Sequence, residues 1–237
     1  MRSLRVRAAP GVSEPAQPLV LSGAITSSIP PIPPVDPRLV LRDPDGALRQ
    51  LRQQWHSRAG HGERWVFAYA SLSWRPEFDA AEHRSAIVHG WHRALRMRSR
   101  VNRGTPQQPG LVFALLPGGA CRGMVYRLRP EQADDELERL WAREMPTGVY
   151  DPRLLPCRTP QGPVLALAFT LSRRSEACLG HLADSELLHI LRHAQGRYGS
   201  TLDYLAKTAA ALRDKGVKDR EIERLMALAR RHGLVTG

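Results

Sequence analysis

A single carboxylate stands where the sequence predicts that an amphipathic helix ends. Glu144 lies two residues before Pro146, which cannot continue a helix. By i, i+3 and i+4 spacing, Glu144 shares one helix side with three apolar residues, Leu137, Leu140 and Trp141. Burying a carboxylate is costly, so a glutamate on an apolar side is unusual. Such a group either pairs with an arginine or acts as an acid or base whose pKa is raised by burial.

A second candidate site lies where a buried strand runs into small residues, at Val66-Phe67-Ala68-Tyr69-Ala70-Ser71-Leu72. Small residues at the exit of a strand let backbone N–H groups approach a ligand. Ser71 lacks the G-x-S-x-G surroundings of an activated serine and has no obvious histidine partner. We therefore interpret it as a hydroxyl of a ligand-binding loop.

Metal and disulfide chemistry find less support in the sequence. His189 and His193 have the i, i+4 spacing of a metal-binding pair, but no third ligand is evident, and we expect no metal site. The three cysteines, Cys121, Cys157 and Cys178, are odd in number and lack a C-x-x-C motif. They predict a reducing, cytoplasmic environment and no disulfide framework.

The charge of the chain invites a nucleic-acid interpretation. The 237 residues carry 35 basic and 23 acidic side chains, hence a formal net charge of +12. Only three of the bases are lysines, a skew that can reflect codon composition as much as phosphate binding. A basic run over residues 93–103 is either a solvated face or a phosphate site. No apolar run approaches the ~20 residues of a membrane helix, and 42% hydrophobic residues exclude a wholly disordered chain.

The distribution of proline divides the chain. Nine of the 19 prolines fall within the first 45 residues, so residues 1–37 are predicted to form a flexible arm. Residues 38–64 are predicted to form a short helix and a linker, with apolar helix residues Leu41, Leu48, Leu51 and Trp55. The compact domain is expected over residues 65–237.

The compact part has strands first and helices afterwards. Aromatic and β-branched content predicts strands over 65–69, 87–98, 111–116, 122–128 and 164–171, with a helix over 131–144 between the last two. Further helices are predicted to begin at Asp184 or Ser185, at a capping box over Ser200–Asp203, and near residue 219. This order indicates the α+β class.

Three ordered segments resemble the ChaC-like γ-glutamylcyclotransferases. They are V-F-x-Y-x-S-L-x-W from Val66, R-G-T-P-x-x-P-G from Arg103 and R-E-M-x-T-G-V-Y from Arg143. The resemblance continues through residues 152–156 and the G-x-x-x-x-Y-L segment that contains Tyr204 and Leu205. It covers residues 65 to about 232, and several motifs in one order are more specific than any single motif.

The resemblance implies a small mixed β-barrel flanked by helices, and an enzyme that cleaves glutathione to 5-oxoproline and cysteinylglycine. It also implies that the reaction needs no metal, no organic cofactor, no nucleic acid and no membrane. Glu144 of the R-E-M segment would be the catalytic base. The loop from Val66 to Leu72 would hold the α-carboxylate and amine of the γ-glutamyl group, largely through backbone groups.

Further site residues follow from the same resemblance. Tyr204 matches a family position near the substrate, and Tyr150 is a looser match of the same kind. Arg93 and Arg103 also match family positions, and one of them is expected to hold the loop or the glycine carboxylate of the substrate. The Arg103 match makes this residue a candidate substrate-binding group.

Two departures from the family pattern leave alternatives open. Alanine stands at Ala68 and Ala70, where the family has glycine. A positive φ at Ala70 would cost ~1 kcal/mol or more, so we predict that its backbone lies in the β region. The alternatives are a cyclotransferase for another γ-glutamyl amide, or a catalytically weak γ-glutamyl-binding protein.

Overall fold

A five-stranded barrel is the centre of the computed structural model, which describes residues 44–59 and 63–235. Its strands are β1 (Trp65–Ala68), β2 (Ala80–Ser99), β3 (Gly110–Leu128), β4 (Asp151–Thr159) and β5 (Gly162–Thr170). They close in the order β1-β3-β2-β4-β5. β1 pairs in parallel with β5, and every other neighbouring pair is antiparallel. The predicted arm over residues 1–37 lies outside the described residues.

Helices pack around this barrel. They are α1 (Pro44–Ala59), α2 (Ala133–Glu144), α3 (Asp184–His193), α4 (Thr201–Asp214) and α5 (Arg220–Arg231). A short hairpin of β6 (Gln195–Gly196) and β7 (Gly199–Ser200) joins α3 to α4. The α+β class and the small mixed barrel flanked by helices are confirmed. None of the helices in the described part of the chain is both long and apolar enough to cross a bilayer.

The hydrophobic core joins buried apolar residues of the barrel strands to those of the surrounding helices. All four residues of β1 are buried, and Val66, Phe67 and Ala68 are completely inaccessible. α2 covers the core with Leu137, Leu140 and Trp141, the side that the helical spacing predicted. In α1, Leu51 and Trp55 are buried as predicted, whereas Leu41 lies outside the described residues.

Three of the predicted strands were wrong in extent. The predicted strands over 111–116 and 122–128 are one strand, β3, and the predicted strand over 87–98 is the second part of β2. β2 and β3 form one long antiparallel ladder from Ala80↔Leu128 to Ser99↔Gly110. The Pro-Gly-Gly sequence at residues 117–119 has the composition of a turn, but the ladder resumes after a register shift there, between the pairs His89↔Ala120 and Trp91↔Pro117.

β4 was not predicted from the sequence. Pro152 and Pro156 lack the N–H that a strand interior normally donates, which disfavours a strand. The structure tolerates both because β4 pairs with β2 only through Cys157 and Arg158, so most of that edge is unpaired. On its other edge, β4 pairs with β5 along its full length.

The helix boundaries follow local capping signals. α2 begins at Ala133 after a 3-10 turn over Pro130–Gln132 and ends at Glu144, the residue predicted for its end. Ser200 caps α4, since its Oγ accepts a hydrogen bond of 3.0 Å from the N–H of Asp203. Asp219 caps α5 in the same way, through the N–H of Ile222 at 3.1 Å.

Candidate active site

The end of α2 fixes the position of Glu144. The N–H of Met145 still donates to the carbonyl of Trp141 at 2.8 Å, and the chain then leaves the helix. Gly148 turns the chain away with a φ of 60°, a conformation that favours glycine. The Glu144 side chain is 13% exposed, so the helix end holds a mostly buried carboxylate.

Arg143 and Glu77 surround this carboxylate with charges of opposite sign. Arg143 Nε lies 3.0 Å from Glu144 Oε1, and Arg143 Nη1 lies 3.1 Å from Glu77 Oε2. Burial raises the pKa of Glu144 and the Glu77 charge adds to this rise, whereas Arg143 opposes it without reversing it. Glu144 therefore combines both sequence interpretations, since it pairs with an arginine and has a raised pKa.

A cleft opens beside Glu144 and encloses about 290 Å³ of empty space, part of which is open to solvent. Its walls come from the loop after β1, from β3, from β5 and α4, and from the segment between α2 and β4. The lining residues are Tyr69, Ala70, Ser71, Leu72, Phe113, Glu144, Tyr150, Phe169 and Tyr204. The cleft thus brings together the predicted base, the second half of the predicted loop, and both predicted tyrosines.

Three tyrosines, of which Tyr69 and Tyr204 are buried and Tyr150 is partly buried, give the cleft neutral hydroxyl groups. Tyr69 donates a hydrogen bond of 2.9 Å to the carbonyl of Phe169, and Tyr204 accepts one of 3.2 Å from the N–H of Phe113. Burial raises the pKa of Tyr69, Tyr150 and Tyr204, and the Glu144 charge raises each further. All three phenols therefore stay protonated, and Tyr204 can donate its own proton while it accepts the Phe113 N–H.

The loop after β1 forms a tight turn next to the cleft. The N–H of Ser73 donates to the carbonyl of Ala70 at 2.9 Å, and the N–H of Arg75 donates to that of Ser71 at 2.8 Å. Within the described chain, no backbone carbonyl accepts from the N–H of Ser71 or Leu72. Because both residues line the cleft, their amides are candidate donors to a ligand there.

The backbone of Ala70 agrees only in part with the sequence prediction. Its φ is −143°, so the positive φ that would disfavour alanine does not occur. Its ψ is −122°, which lies outside the β region, so that part of the prediction was wrong. The turn sets this angle, because the Ala70 carbonyl accepts from both the N–H and the hydroxyl of Ser73.

The two arginines at family positions have separate environments. Arg93 is fully buried and its Nε donates to the carbonyl of Tyr69 at 2.6 Å, so it holds the loop. Arg103 does not line the cleft. Its Nη1 donates to the carbonyl of Tyr198 at 2.5 Å and pairs with Asp203 at 3.1 Å, next to the start of α4.

The first half of the predicted loop also lies away from the cleft. Val66, Phe67 and Ala68 are buried within β1 and do not line the cavity. Two wall residues, Phe113 and Phe169, were not predicted from the sequence. Both lie in predicted strands, and alternation indicates which residues share a face but not which end of the strand meets a ligand.

The other candidate groups form no site. Among the described residues, no three His, Cys, Asp or Glu side chains are grouped closely enough to hold a metal ion. His189 and His193 are exposed neighbours on α3 with ring centroids 4.8 Å apart. All three cysteines are unpaired, and burial raises the pKa of Cys121 to about 11 and that of Cys157 to about 12.

The raised pKa of Glu144 predicts an effect on stability. A carboxyl whose pKa is higher in the folded chain than the usual ~4.3 stabilises the fold at low pH, and this contribution is lost as the pH rises through the folded value. Glu144→Gln mimics the protonated form. Its melting temperature should equal or exceed that of the wild type at pH 7, with a smaller difference at pH 4. Calorimetry at both pH values checks this, and a lower melting temperature of the variant at pH 7 would contradict it.

Comparison with known proteins agrees with this geometry. The family model described as ChaC-like protein matches residues 64–232. A relative from Escherichia coli (strain K12), named glutathione-specific gamma-glutamylcyclotransferase, is 34% identical over 163 residues, which cover 68% of this chain and 71% of the relative. The glutathione-specific gamma-glutamylcyclotransferase 1 of Mus musculus is 31% identical over 150 residues, which cover 61% of this chain and 67% of the relative.

A solved structure shares the fold. It is a yeast gamma-glutamylcyclotransferase specific to glutathione, with a TM-score of 0.65 and 22% identity, and the match covers 72% of this chain and 96% of that one. The family match spans the whole barrel, the cleft and the helices α2 to α5. The chain belongs to the ChaC-like protein family.

Proposed function

We propose that this protein is a γ-glutamylcyclotransferase that converts glutathione to 5-oxoproline and cysteinylglycine. The observation that carries the proposal is the mostly buried carboxylate of Glu144, which lines a small cleft together with Ser71 and Leu72 of the loop. The names of the Escherichia coli and Mus musculus relatives support glutathione as the substrate. The reaction class also fits a site in which the protein supplies no nucleophile.

In this reaction the nucleophile belongs to the substrate. The α-amine of the γ-glutamyl group attacks its own γ-carbonyl carbon, and a C–N bond forms to close a five-membered lactam. The C–N bond to the cysteine nitrogen breaks, and no water is consumed. Well-oriented intramolecular attack reaches effective molarities of ~10⁵–10⁸ M, so holding the substrate in a folded conformation supplies much of the rate.

Glu144 would move the one proton that the reaction transfers. It accepts this proton from the attacking amine and donates it to the leaving cysteine nitrogen. A raised pKa helps in both steps, because a stronger base takes the proton more readily and its conjugate acid is present closer to neutral pH. Arg143, at 3.0 Å, keeps part of the population ionised and ready to act as the base.

The loop and the tyrosines would orient the substrate. The N–H groups of Ser71 and Leu72 can donate to the α-carboxylate or to the oxyanion that develops on the γ-carbonyl oxygen. Tyr150 and Tyr204 are neutral donors on the same cleft. The cleft is partly open to solvent, so the γ-glutamyl end of glutathione can enter it while the remainder of the molecule extends outward.

We further propose a cytoplasmic location, which the three unpaired cysteines support. The net charge of +12 needs no nucleic acid to explain it, since a basic protein attracts a substrate that is net negative, as glutathione is. No cofactor is required by the reaction, because the base, the nucleophile and the leaving group all come from Glu144 and the substrate.

The pH dependence of the activity follows from the Glu144 carboxyl. The base must be ionised, so kcat/KM should fall as the pH drops through its raised pKa, which lies above the usual ~4.3 of glutamate. We expect a single-proton acid limb whose midpoint is higher than that value. Initial rates between pH 4 and 8 measure it, and a midpoint at or below ~4.3 would contradict the assigned base.

A substrate panel tests the proposed function. Purified full-length protein is incubated with glutathione, with γ-glutamylalanine, and with the isomer of glutathione whose glutamate is linked through its α-carboxyl. Release of cysteinylglycine and 5-oxoproline from glutathione is the expected result. The α-linked isomer should release no cysteinylglycine, because attack on its α-carbonyl would form a three-membered ring. Faster turnover of γ-glutamylalanine would instead support the alternative of another γ-glutamyl amide, and no product from any compound would refute the enzyme.

A further inference from the structure

One ion pair connects the C-terminal helix to the loop beside the cleft. Asp219 is the N-cap of α5, and its side chain is 14% exposed. One carboxylate oxygen accepts the N–H of Ile222 at 3.1 Å, which caps the helix. The other oxygen is bound by Nη1 of Arg93, on β2. The same carboxylate therefore serves the helix and a buried arginine 126 residues away in the sequence.

Arg93 uses three nitrogens on three different parts of the fold. Besides the Asp219 contact, its Nε donates to the carbonyl of Tyr69 and its Nη2 donates to the carbonyl of Arg122 on β3, both at 2.6 Å. The guanidinium is 0% exposed, so water cannot replace any of these partners. The planar guanidinium fixes the relative directions of its three hydrogen-bond partners, which the single ammonium group of a lysine could not do.

The bond to Tyr69 is the step that reaches the active site. Tyr69 lines the cleft, and its carbonyl belongs to the peptide bond that leads into Ala70, Ser71 and Leu72, which also line the cleft. Loss of the Asp219 charge would leave a buried cation without its counter-ion, so Arg93 would shift toward another acceptor. The Tyr69 carbonyl would then lose its fixed donor. A displacement of 1 Å can cost as much as ~10² in rate where the substrate must be held in one geometry.

We propose that Asp219 is a positioning residue for the substrate loop and acts through Arg93. This inference rests on the proposed function for its kinetic consequence, but its structural consequence is independent of activity. The C-terminal helix thereby contributes to the active site without touching the substrate.

The substitution Asp219→Asn separates positioning from helix capping. Asparagine caps helices as well as aspartate does, so this variant keeps the Ile222 contact and removes only the charge. We expect kcat for glutathione to fall about tenfold or more, with KM within about threefold, at a temperature where the variant is fully folded. Arg93→Lys should produce a similar loss, and the double variant should lose no more than Arg93→Lys alone, because both act through one contact.

Asp184→Asn is the matched control. Asp184, on α3, pairs with Arg224 of α5 at 3.1 Å, so this variant also removes an acidic partner of α5 but has no contact with the loop. Its kcat should equal that of the wild type. Equal losses in Asp184→Asn and Asp219→Asn would show that docking of α5 matters rather than the Arg93 contact, and would overturn the proposal.

Amide hydrogen exchange gives a test that does not need activity. Peptides covering residues 69–74 should exchange faster in Asp219→Asn than in the wild type, and at the wild-type rate in Asp184→Asn. If the wild type is inactive on every substrate but this exchange pattern holds, the proposed function fails and the positioning role stands. Unchanged exchange and unchanged kcat in Asp219→Asn would overturn the inference.

If Asp219→Asn does not fold, Asp219→Ser takes its place, because serine also caps helices. Unfolding of both variants would overturn the positioning role and assign the carboxylate a role in folding.

Discussion

Glu144→Gln should lower kcat for 5-oxoproline formation from glutathione by about 10²–10⁴-fold, with KM within about threefold. Glutamine has nearly the same shape and is neutral, so it fills the same space at the end of α2 but cannot accept the amine proton. The loop amides and the tyrosines remain in place and still bind the γ-glutamyl group. Mass spectrometry of 5-oxoproline and cysteinylglycine over time measures the loss.

A second glutamate on α2 provides the control. Glu136 is also buried, at 4% exposure, and also has an arginine partner, Arg139 at 3.2 Å, but it does not line the cleft. Glu136→Gln therefore removes a buried carboxylate from the same helix without touching the site, and its kcat should be unchanged. A wild-type rate in Glu144→Gln, or equal losses in the two variants, would rule out Glu144 as the base.

Gly104→Ala should lower the free energy of unfolding by about 3 kcal/mol or more. A Cβ on Gly104 would lie 2.0 Å from the nitrogen of Gly110 and 2.7 Å from the carbonyl oxygen of Gln108. Both are backbone atoms, so no side-chain rotation relieves the clash. The loop over 103–110 closes on itself at this point and positions Arg103, which holds the chain at the start of α4. Urea unfolding monitored by circular dichroism measures the effect.

Gly180→Ala is the matched substitution in open space. Gly180 also lies in a loop, has no positive φ, and a Cβ there would meet no atom within 4 Å. Its free energy of unfolding should stay within ~0.5 kcal/mol of the wild type. Similar free energies of unfolding for the two alanine variants would show that the loop accommodates a side chain at Gly104. That result would contradict the close approach of Gly104 to Gly110.

Local signals in the sequence were sufficient to place Glu144. Pro146 and the i, i+3 spacing with Leu140 and Trp141 predicted the helix end and the buried side, and both are observed. The raised pKa followed from burial alone, a physical effect that depends little on the details of the fold. The order of the motifs then supplied the family, and with it the barrel.

Long-range contacts were beyond the sequence analysis. The R-G-T-P-x-x-P-G segment has the composition of a loop, but no local signal indicates that Gly104 and Gly110 lie against each other. Similarly, position 219 was predicted to start a helix, but nothing local indicates that Asp219 binds Arg93. β4 was missed because its prolines are tolerated only where a strand edge is unpaired, which is a property of the assembled barrel. The division of the chain into an arm, a linker region and a domain stays a prediction.

The oxygen isotope content of the product tests the central claim most directly, namely that the γ-glutamyl amine is the nucleophile at this site. Wild-type protein is incubated with glutathione in oxygen-18 water, and 5-oxoproline is analysed by mass spectrometry. Intramolecular attack consumes no water, so the product should carry no oxygen-18 and should form in equal amount with cysteinylglycine. Labelled 5-oxoproline, or labelled glutamate in its place, would mean that water attacks the γ-carbonyl and would contradict the account.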